Sequence, residues 1–426
     1  MSVGPSFKRG VQLRRAVLVA PVPIGGEMVL DGSPTILVLS TADWGAAVWT
    51  NKQHLALRLA RLGYSVTYVN SVGLRMPGLS TRDLRRVMDR VTRRGKSRAG
   101  GRPGSGPTPS VSSPLMLPAA WGSPARLVNQ LVLPRQMGPW RNAHQERVLW
   151  TFSPVTFGLD RLARATVYHC VDLLESFPGV NRGVVHRGEE ELARKGVLAI
   201  ASSRPILQHL HEVGFRRTLL WENVADVDSF ALRTPAPSGE GKARKGNLVY
   251  AGNLTGEKVD WTLLSSLMER LPSVTLHLAG PIAEGSRTTP NEPELERLMD
   301  NPRVRYYGVL NPMELGRLFR RCSVGLIPYR LNSYTTGVFP LKTFEYLAAG
   351  LAVVSSPLPA LGEAARNSRH IVLASPGDWG QAVQRQDREP SEASLTERLA
   401  EAQAHSWSAR EAQIRTLVEE MTRGDW

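Results

Sequence analysis

The sequence predicts a two-domain α/β protein in which each domain is built on a doubly wound parallel sheet. Short, continuous apolar runs such as 35–40 are typical of parallel strands that are buried on both faces. Stretches with apolar residues at helical spacing separate these runs. A chain of 426 residues is also too long for one ordinary core. We therefore expect two Rossmann-like domains that face one another across a cleft.

The first predicted domain spans 35–235 and opens with a strand, a loop, a helix and a second strand. The strand 35–40 leads into a glycine-containing loop. The helix 51–62 then shows helical spacing of Leu55, Ala56, Leu59 and Leu62. Gly63 ends this helix. Further strands are predicted at 66–69, 148–152, 166–171, 197–202 and 218–221.

A linker is predicted at 236–247, because the surrounding stretch is rich in Pro, Gly, Lys and Arg. The second predicted domain spans 248–404, and its strands and helices alternate more regularly. Strands are predicted at 248–251, 274–279, 304–307 and 324–328, and helices at 259–270, 293–299 and 312–321. We expect a final helix within 405–426 to cross back to the first domain.

The charge of the chain implies an anionic partner. Fifty-three Lys and Arg against 38 Asp and Glu give a formal net charge of +15. Nucleic acid, a membrane surface and a phosphorylated substrate all fit that charge. The two cysteines, Cys170 and Cys322, form neither a disulfide framework nor a metal-ligand spacing, and we expect buried free thiols in a reducing compartment.

Membrane association is expected to be peripheral. Residues 1–34 are predicted to be a mobile leader or a short extra strand, since the apolar run 16–20 is too short for a signal peptide. No run approaches the roughly 20 apolar residues that span a bilayer. We expect the protein in the cytoplasm, with peripheral contact to an anionic inner membrane face. The stretch 82–98 is predicted to be a basic amphipathic helix, and a solvated charged helix is the alternative. The stretch 97–118 is predicted to be a flexible insertion.

The segment 339–356 is the most informative part of the sequence. Pro340 suits the first position of a helix and Gly350 suits its C-terminal cap. The amides near Gly337 and Val338 then lie at the positive end of the helix, which favours a phosphate. Glu345 is placed to accept hydrogen bonds from sugar hydroxyls. The alternative is a buried strand–helix–strand unit with an ordinary surface glutamate.

A second candidate phosphate site follows the first strand of the second domain. The segment 250–261 ends that strand in a glycine loop and places Lys258 near the start of the next helix. Lys258 is therefore a candidate cation for a diphosphate, and a solvated lysine is the alternative. The nine histidines do not gather with acids or cysteines at ligand spacing, so we expect no metal and no cofactor.

Several segments resemble one family when taken together. They are 51–56 with 63–66, 222–230, 249–253, 276–281, 304–308, 340–350 and 406–410. As a set they are similar to GT-B fold retaining glycosyltransferases of the group 1, or family 4, type, which includes bacterial cell-surface polysaccharide and glycolipid enzymes. The similarity covers roughly 35–420.

The resemblance implies that the second domain binds a nucleotide-diphosphate sugar. Glu345 matches the second acid of the family's Glu-x7-Glu element and is expected to hold the ribose hydroxyls. Gly337 replaces the first acid, which leaves the sugar-binding carboxylate unassigned. The further donor-binding residues that the resemblance implies are Asn253, Lys258, Val309, Leu310, Thr336, Gly337, Val338 and Lys342. Lys258 is also the candidate that stabilises the leaving diphosphate.

The resemblance assigns the acceptor to the first domain. His169 and Asp172 follow a predicted strand and are the candidates near the reacting centre, with structural hydrogen bonding as the alternative for each. Gly45, with Asp43 and Trp44, is expected to approach the donor phosphate, although Trp44 equally fits packing.

The function that the resemblance implies is transfer of a sugar from a nucleotide-diphosphate sugar to a polysaccharide or lipid-linked acceptor. An epimerase would need several acids and histidines in the cleft, and a phosphorylase would need a lysine for a pyridoxal cofactor. Neither set is evident. A nucleic-acid-binding protein fits the charge, but interleaved aromatic and basic residues on a sheet are missing, so we expect no nucleic-acid partner.

Overall fold

The computed structural model describes residues 33–46, 48–71, 106–117, 123–177, 179–231, 244–282 and 292–423. Within them, the first domain contains a seven-stranded parallel sheet in the order β3-β2-β1-β4-β5-β6-β7. Its strands are β1 Thr35–Leu39, β2 Ser65–Val69, β3 Ser110–Ser112, β4 Arg147–Thr151, β5 Ala165–Cys170, β6 Leu198–Ala201 and β7 Thr218–Leu220. The strand order reverses between β1 and β4, so a crevice opens outside their carboxyl ends.

Helices cover both faces of this sheet. They are α1 Asn51–Arg61, α2 Ser123–Gln136, α3 Gly138–Arg141, α4 Arg182–Arg194 and α5 Arg204–Val213. The short helix α6 Val227–Phe230 instead contributes Val227 and Phe230 to the core of the second domain. The sheet is buried because α1 packs on one face, through Leu55 and Leu59, and α2 and α3 pack on the other, through Leu133 and Trp140. Burial on both faces explains why inner strands such as β1 and β6 are almost entirely apolar.

The second domain repeats the plan with a six-stranded sheet in the order β10-β9-β8-β11-β12-β13. The strands are β8 Asn247–Ala251, β9 Thr275–Ala279, β10 Val304–Tyr306, β11 Val324–Ile327, β12 Ala352–Ser355 and β13 Ile371–Leu373. The helices are α7 Trp261–Arg270, α8 Pro293–Met299, α9 Pro312–Phe319, α10 Lys342–Ala348, α11 Gly362–Asn367, α12 Trp379–Gln386, α13 Glu392–Ala404 and α14 Trp407–Arg423. Here the order reverses between β8 and β11.

The chain returns to the first domain at its end. Ser406 pairs with Ala225 in a parallel bridge, and α14 then packs beside α1. The first domain's core accordingly includes Trp407, Ile414, Leu417, Val418 and Met421. The sequence predicts this crossing within 405–426.

Two local predictions differ from the structure. The sequence predicts a flexible insertion at 97–118, and this is wrong for Ser110–Ser112, which pairs in parallel with β2 and rests Val111 against the core. Pro340 does not occupy the first helical position, because α10 begins at Lys342. The carbonyl of Pro340 instead accepts a hydrogen bond from the Thr343 amide at 3.2 Å, in a tight turn before the helix.

Other predictions lie outside the described residues. They are the leader except for its last two residues, the basic stretch 82–98 and most of the linker 236–247. Among the described residues, no helix has both the length and the apolar composition needed to cross a bilayer. Cys170 and Cys322 are buried free thiols as predicted, and burial raises the pKa of Cys322 to about 12.

The close approach of two loops at the carboxyl ends of β8 and β9 gives a stability prediction. Gly280 has φ +133°, and a Cβ built on it would lie 1.9 Å from the carbonyl oxygen of Gly252. Because backbone must move to admit a methyl group, Gly280→Ala should destabilise the second domain by about 2–4 kcal/mol. Urea unfolding measures the loss. Gly377→Ala is the matched control, since its Cβ would meet no atom within 4 Å, and equal midpoints for the two variants would contradict the prediction.

Candidate functional site

The candidate site lies where the carboxyl ends of β8 and β11 meet the first domain. Ligands of open parallel sheets bind at such a reversal of strand order. The two domains touch here through Ser203, whose hydroxyl donates to the carbonyl of Gly337 at 2.9 Å. Asn223 also donates to the carbonyl of Phe339 at 2.8 Å. The entrance to α10 is therefore held against the first domain.

Backbone pairing fixes the position of Lys258. Val259 forms an antiparallel bridge with Tyr329, and the amide of Arg330 donates to the carbonyl of Lys258 at 2.9 Å. The Asp260 amide donates to the carbonyl of Pro328 at 2.8 Å. This short pairing places the Lys258 ammonium 4.5 Å from the centroid of the Tyr329 ring. A cation at this distance from an aromatic ring is attracted to its face.

Three predicted donor-binding residues gather around Tyr329. Burial raises the pKa of the Tyr329 hydroxyl, the positive charge of Lys342 lowers it, and the negative charge of Glu345 raises it. Both charges are therefore close enough to act on this hydroxyl, and Lys258 lies against the same ring. The structure thus brings Lys258, which is distant in sequence, toward Lys342 and Glu345, which lie one turn apart on α10.

The Lys342 side chain lies against the backbone of Gly252. A Cβ on Gly252 would be 2.7 Å from Lys342 Cε and 3.1 Å from its Nζ, and Gly252 has φ +151°. Only glycine therefore lets the lysine reach this loop. The neighbouring Asn253 is held because its carbonyl accepts from the Tyr250 hydroxyl at 3.2 Å. Asn253, Lys342 and Lys258 consequently share one wall of the site.

The loop before α10 contains the amides that the sequence predicts to bind a phosphate. The Val338 amide donates to the carbonyl of Thr335 at 3.1 Å, and the Thr336 amide donates to the carbonyl of Asn332 at 3.0 Å. The Thr336 hydroxyl donates to the same carbonyl at 2.7 Å. Because these groups bond within the turn, the Val338 amide already has a partner here, and its contact with the diphosphate stays a prediction.

Gly337 lies in a tight part of the contact between the domains. A Cβ at this position would lie 3.1 Å from Leu173 Cγ and 3.3 Å from Ile206 Cγ1. Both side chains would have to move by a few tenths of an ångström to admit it. The contact between the domains therefore disfavours a larger residue at Gly337.

The loop after β1 faces the same cleft. Gly45 is exposed, and a Cβ there would meet no atom within 4 Å. Trp44 is 4% exposed and packs against Tyr68 and Trp49, with ring centroids 5.0 Å and 4.9 Å away. Packing is therefore the role of Trp44 that the structure supports. The carboxylate of Asp43 accepts from the Ser71 amide at 3.1 Å.

Asp172 forms an ion pair that the sequence did not predict. Its carboxylate lies 3.4 Å from the ammonium of Lys52, in the first turn of α1. The Lys52 side chain is 9% exposed, and its ammonium is 6.0 Å from the centroid of the Phe152 ring. A nearly buried lysine at the carboxyl end of β5 is a candidate site residue. Its only sequence signal is its place in the segment 51–56.

Comparison with known proteins shows which proteins this chain resembles in sequence. Residues 245–386 match the family model described as glycosyl transferases group 1. TuaH of Bacillus subtilis (strain 168), named as a teichuronic acid biosynthesis glycosyltransferase, is 25% identical over 217 residues, which are 50% of this chain. The chain spans about half, 52%, of the length of that relative.

Solved structures share the fold over nearly the whole chain. Sucrose-phosphate synthase from Thermosynechococcus elongatus has a TM-score of 0.66 at 14% identity, covering 92% of this chain and 100% of that one. Anabaena HepE in complex with UDP has a TM-score of 0.59 at 15% identity, covering 91% and 100%. The chain has the GT-B fold, as the sequence predicts. Residues 245–386, which lie in the second domain, match the group 1 glycosyltransferase family that the sequence resembles.

Val309 and Leu310 lie at the outer edge of the sheet in the second domain. They follow β10 and the turn residue Gly308, which has φ +66°. Val309 is 53% exposed, whereas Leu310 is half-buried against the core. An exposed apolar side chain at the carboxyl edge is available to a flat ring, so Val309 stays a predicted base contact.

His169 does not lie at the cleft of this GT-B protein. It is 5% exposed, stacks on Phe152 with centroids 5.0 Å apart, and accepts from Trp150 Nε1 at 3.4 Å on its Nδ1. Burial, followed by the charges of Arg410 and Lys52, lowers its pKa to about 3. This burial favours the structural role that the sequence left open as the alternative for His169, because β5 turns the side chain toward α14.

A small cavity beside His169 is lined by the two crossings between the domains, 221–224 and the start of α14. Among the described residues, His169 Nε2, Asn51 Oδ1 and Trp407 Nε1 have no hydrogen-bond partner, and all three residues line this cavity. The neutral His169 carries its proton on Nε2, since Nδ1 accepts. Two donors and one acceptor match a water molecule.

No group of three or more His, Cys, Asp or Glu that could hold a metal ion occurs in the described part of the chain.

The burial of neutral His169 predicts a pH dependence of stability. Its pKa falls from the ordinary 6.5 to about 3 on folding, so only the unfolded chain takes up this proton between those values. The stability that His169 contributes is present above pH 6.5 and is lost as pH falls, by about 1.4 kcal/mol per pH unit. Between about pH 7 and pH 4.5 the free energy of unfolding should fall in both proteins. The fall should be smaller in His169→Gln than in the wild type, by about 2–3 kcal/mol.

Urea unfolding at the two pH values measures this difference. His144→Gln is the control, and it should follow the wild type. If His169→Gln loses as much stability as the wild type on acidification, then His169 is not buried in its neutral form.

Proposed function

We propose that this protein is a retaining glycosyltransferase that moves a sugar from a nucleotide-diphosphate sugar to a hydroxyl of a polysaccharide or lipid-linked acceptor. The observation that carries the proposal is the convergence of Lys258, Lys342 and Glu345 around Tyr329, at the strand-order reversal of the group 1 domain. Two cations beside one carboxylate suit a ligand that has a diphosphate at one end and neutral hydroxyls at the other.

The ribose is assigned to Glu345 and the diphosphate to the two lysines. A carboxylate accepts hydrogen bonds from both hydroxyls of a ribose, in charge-assisted bonds stronger than neutral ones. Lys342, held against Gly252, and Lys258, held by its backbone pairing, supply positive charge a short distance away. Uridine is the proposed base, because the similar HepE was solved in complex with UDP and with UDP-glucose.

The reaction breaks the bond between the sugar C1 and the β-phosphate oxygen, and forms a bond between C1 and the acceptor oxygen. Negative charge grows on the β-phosphate as the nucleoside diphosphate leaves, and positioned cations stabilise that charge without reorganisation. The acceptor hydroxyl attacks on the face from which the leaving group departs, and a phosphate oxygen takes its proton. This chain's contribution is therefore charge stabilisation and orientation.

The first domain is the proposed acceptor side. Gly45 leaves open space at the carboxyl end of β1, and the Lys52–Asp172 pair lies in the same crevice. The teichuronic acid assignment in the name of the relative TuaH supports a cell-surface glycan as the acceptor class. An acceptor of this kind, whether a polymer or lipid-linked, also supports peripheral contact with an anionic membrane.

Removal of the carboxylate tests the ribose assignment. Glu345→Ala should weaken UDP binding by about tenfold to a hundredfold, because hydrogen bonds to a charged group contribute about 1.5–3 kcal/mol. Calorimetric titration with UDP measures the affinity. Glu296→Ala, an exposed acid of the same domain, is the control. Unchanged UDP affinity in Glu345→Ala would remove Glu345 from the site.

Lys258 tests the leaving-group role. Lys258→Ala should lower kcat by about tenfold or more while changing the donor KM less, since the charge it stabilises grows only in the transition state. Steady-state kinetics with the best sugar nucleotide gives both constants. A raised KM with kcat intact would show that Lys258 binds the donor without assisting departure.

A further inference from the structure

The outward face of α2 is apolar, which is unusual for a surface helix. Leu127 is 62% exposed, Leu131 61%, Val128 43% and Val132 36%. These residues recur at three- and four-residue steps and form one continuous stripe. Helices of globular proteins normally place polar residues on the solvent side. We call these four residues the α2 apolar face.

The opposite face of α2 already holds the helix on the domain. Leu133 is fully buried in the core below it. The buried side chain of Asn129 bonds to the backbone of Leu117 in both directions, at 2.9 Å and 2.7 Å, and Gln136 bonds in the same way to Leu115 at 2.9 Å. Folding of the helix therefore does not need the α2 apolar face. A contiguous exposed apolar surface of this kind marks an interaction site.

Charge identifies the partner. The segment 123–164 contains six arginines and only two acids, Glu146 and Asp160, and α2 itself has no acid. Arg135 is exposed at the end of the apolar face. An apolar helix face with positive charge beside it matches a partner that is apolar inside and negative at its surface. An anionic bilayer is such a partner.

We infer that the α2 apolar face enters the headgroup region of an anionic membrane, with the exposed Arg135 beside it on a lipid phosphate. This inference rests on the proposed function, since a lipid-linked or nascent envelope acceptor lies at such a surface. It adds a defined contact surface on the acceptor domain. The face belongs to a different segment from the basic stretch 82–98.

Vesicle co-sedimentation tests the inference. The wild type should bind vesicles of phosphatidylcholine mixed with phosphatidylglycerol, and bind phosphatidylcholine alone much less. Leu127→Gln/Leu131→Gln should need about tenfold more lipid for half-binding, because two leucines lose their apolar burial. Leu219→Gln/Met313→Gln is the control, since both side chains are exposed but lie outside α2, and it should bind as the wild type. Equal binding by the two double variants would overturn the inference.

A labelled variant keeps the test valid if the double variant does not fold. Leu131→Cys can be labelled with a polarity-sensitive dye, because Cys170 and Cys322 are buried. Its emission should shift to the blue on anionic vesicles, and that of Met313→Cys should not. Matching shifts at both sites, or a shift at neither, would contradict the inference.

Two other occupants give different results. If a second copy covers the face, the wild type forms dimers without lipid and Leu127→Gln/Leu131→Gln is monomeric by light scattering. If the segment 72–105 covers it, the double variant exchanges amide hydrogens faster in that segment without lipid. Either result overturns the membrane inference. None of these measurements uses a sugar nucleotide, so a failure of the proposed transfer activity would be read separately.

Discussion

The backbone pairing between 258–260 and 328–330 is the interaction on which the candidate site depends. It joins the loop after β8 to the loop after β11 at the point where the strand order of the sheet reverses. The pairing holds Lys258 against the Tyr329 ring. Because α10 follows the second of these loops, the same pairing sets the distance between Lys258 and the Lys342–Glu345 turn. The proposed donor site, made of well-separated segments, is therefore one preorganised surface.

The contact between the domains limits what this surface can contain. Asn51 donates to Asn223, and Asn223 donates to the carbonyl of Phe339, so a chain of amides runs from α1 to the entrance of α10. Gly337 meets Leu173 and Ile206 closely, so a larger side chain there requires both to move. The domain contact thus occupies the position where the resemblance implies a first acid. This leaves Glu345 as the carboxylate of the cluster.

Much of the fold could be predicted from the sequence, because strands buried on both faces and helices with one apolar face leave periodic patterns. The β8–α7 unit and the helix near 342–348 are examples, and Lys258, Lys342 and Glu345 were predicted to share one ligand. The start of α10 was missed because a turn accepts Pro340 as readily as a first helical position does. The sequence left two roles open for His169, because its position three residues before Asp172 does not show which face of β5 its side chain takes. The Lys52–Asp172 pair joins residues 120 positions apart, which no local pattern predicts.

The central claim is that Lys258, Lys342 and Glu345 form one nucleotide-diphosphate site. A crystal structure of the protein with UDP tests it most directly. The account predicts both ribose hydroxyls within hydrogen-bond distance of the Glu345 carboxylate, and diphosphate oxygens within reach of the Lys258 or Lys342 ammonium. UDP bound elsewhere on the protein, or bound here with its ribose away from Glu345, would contradict it.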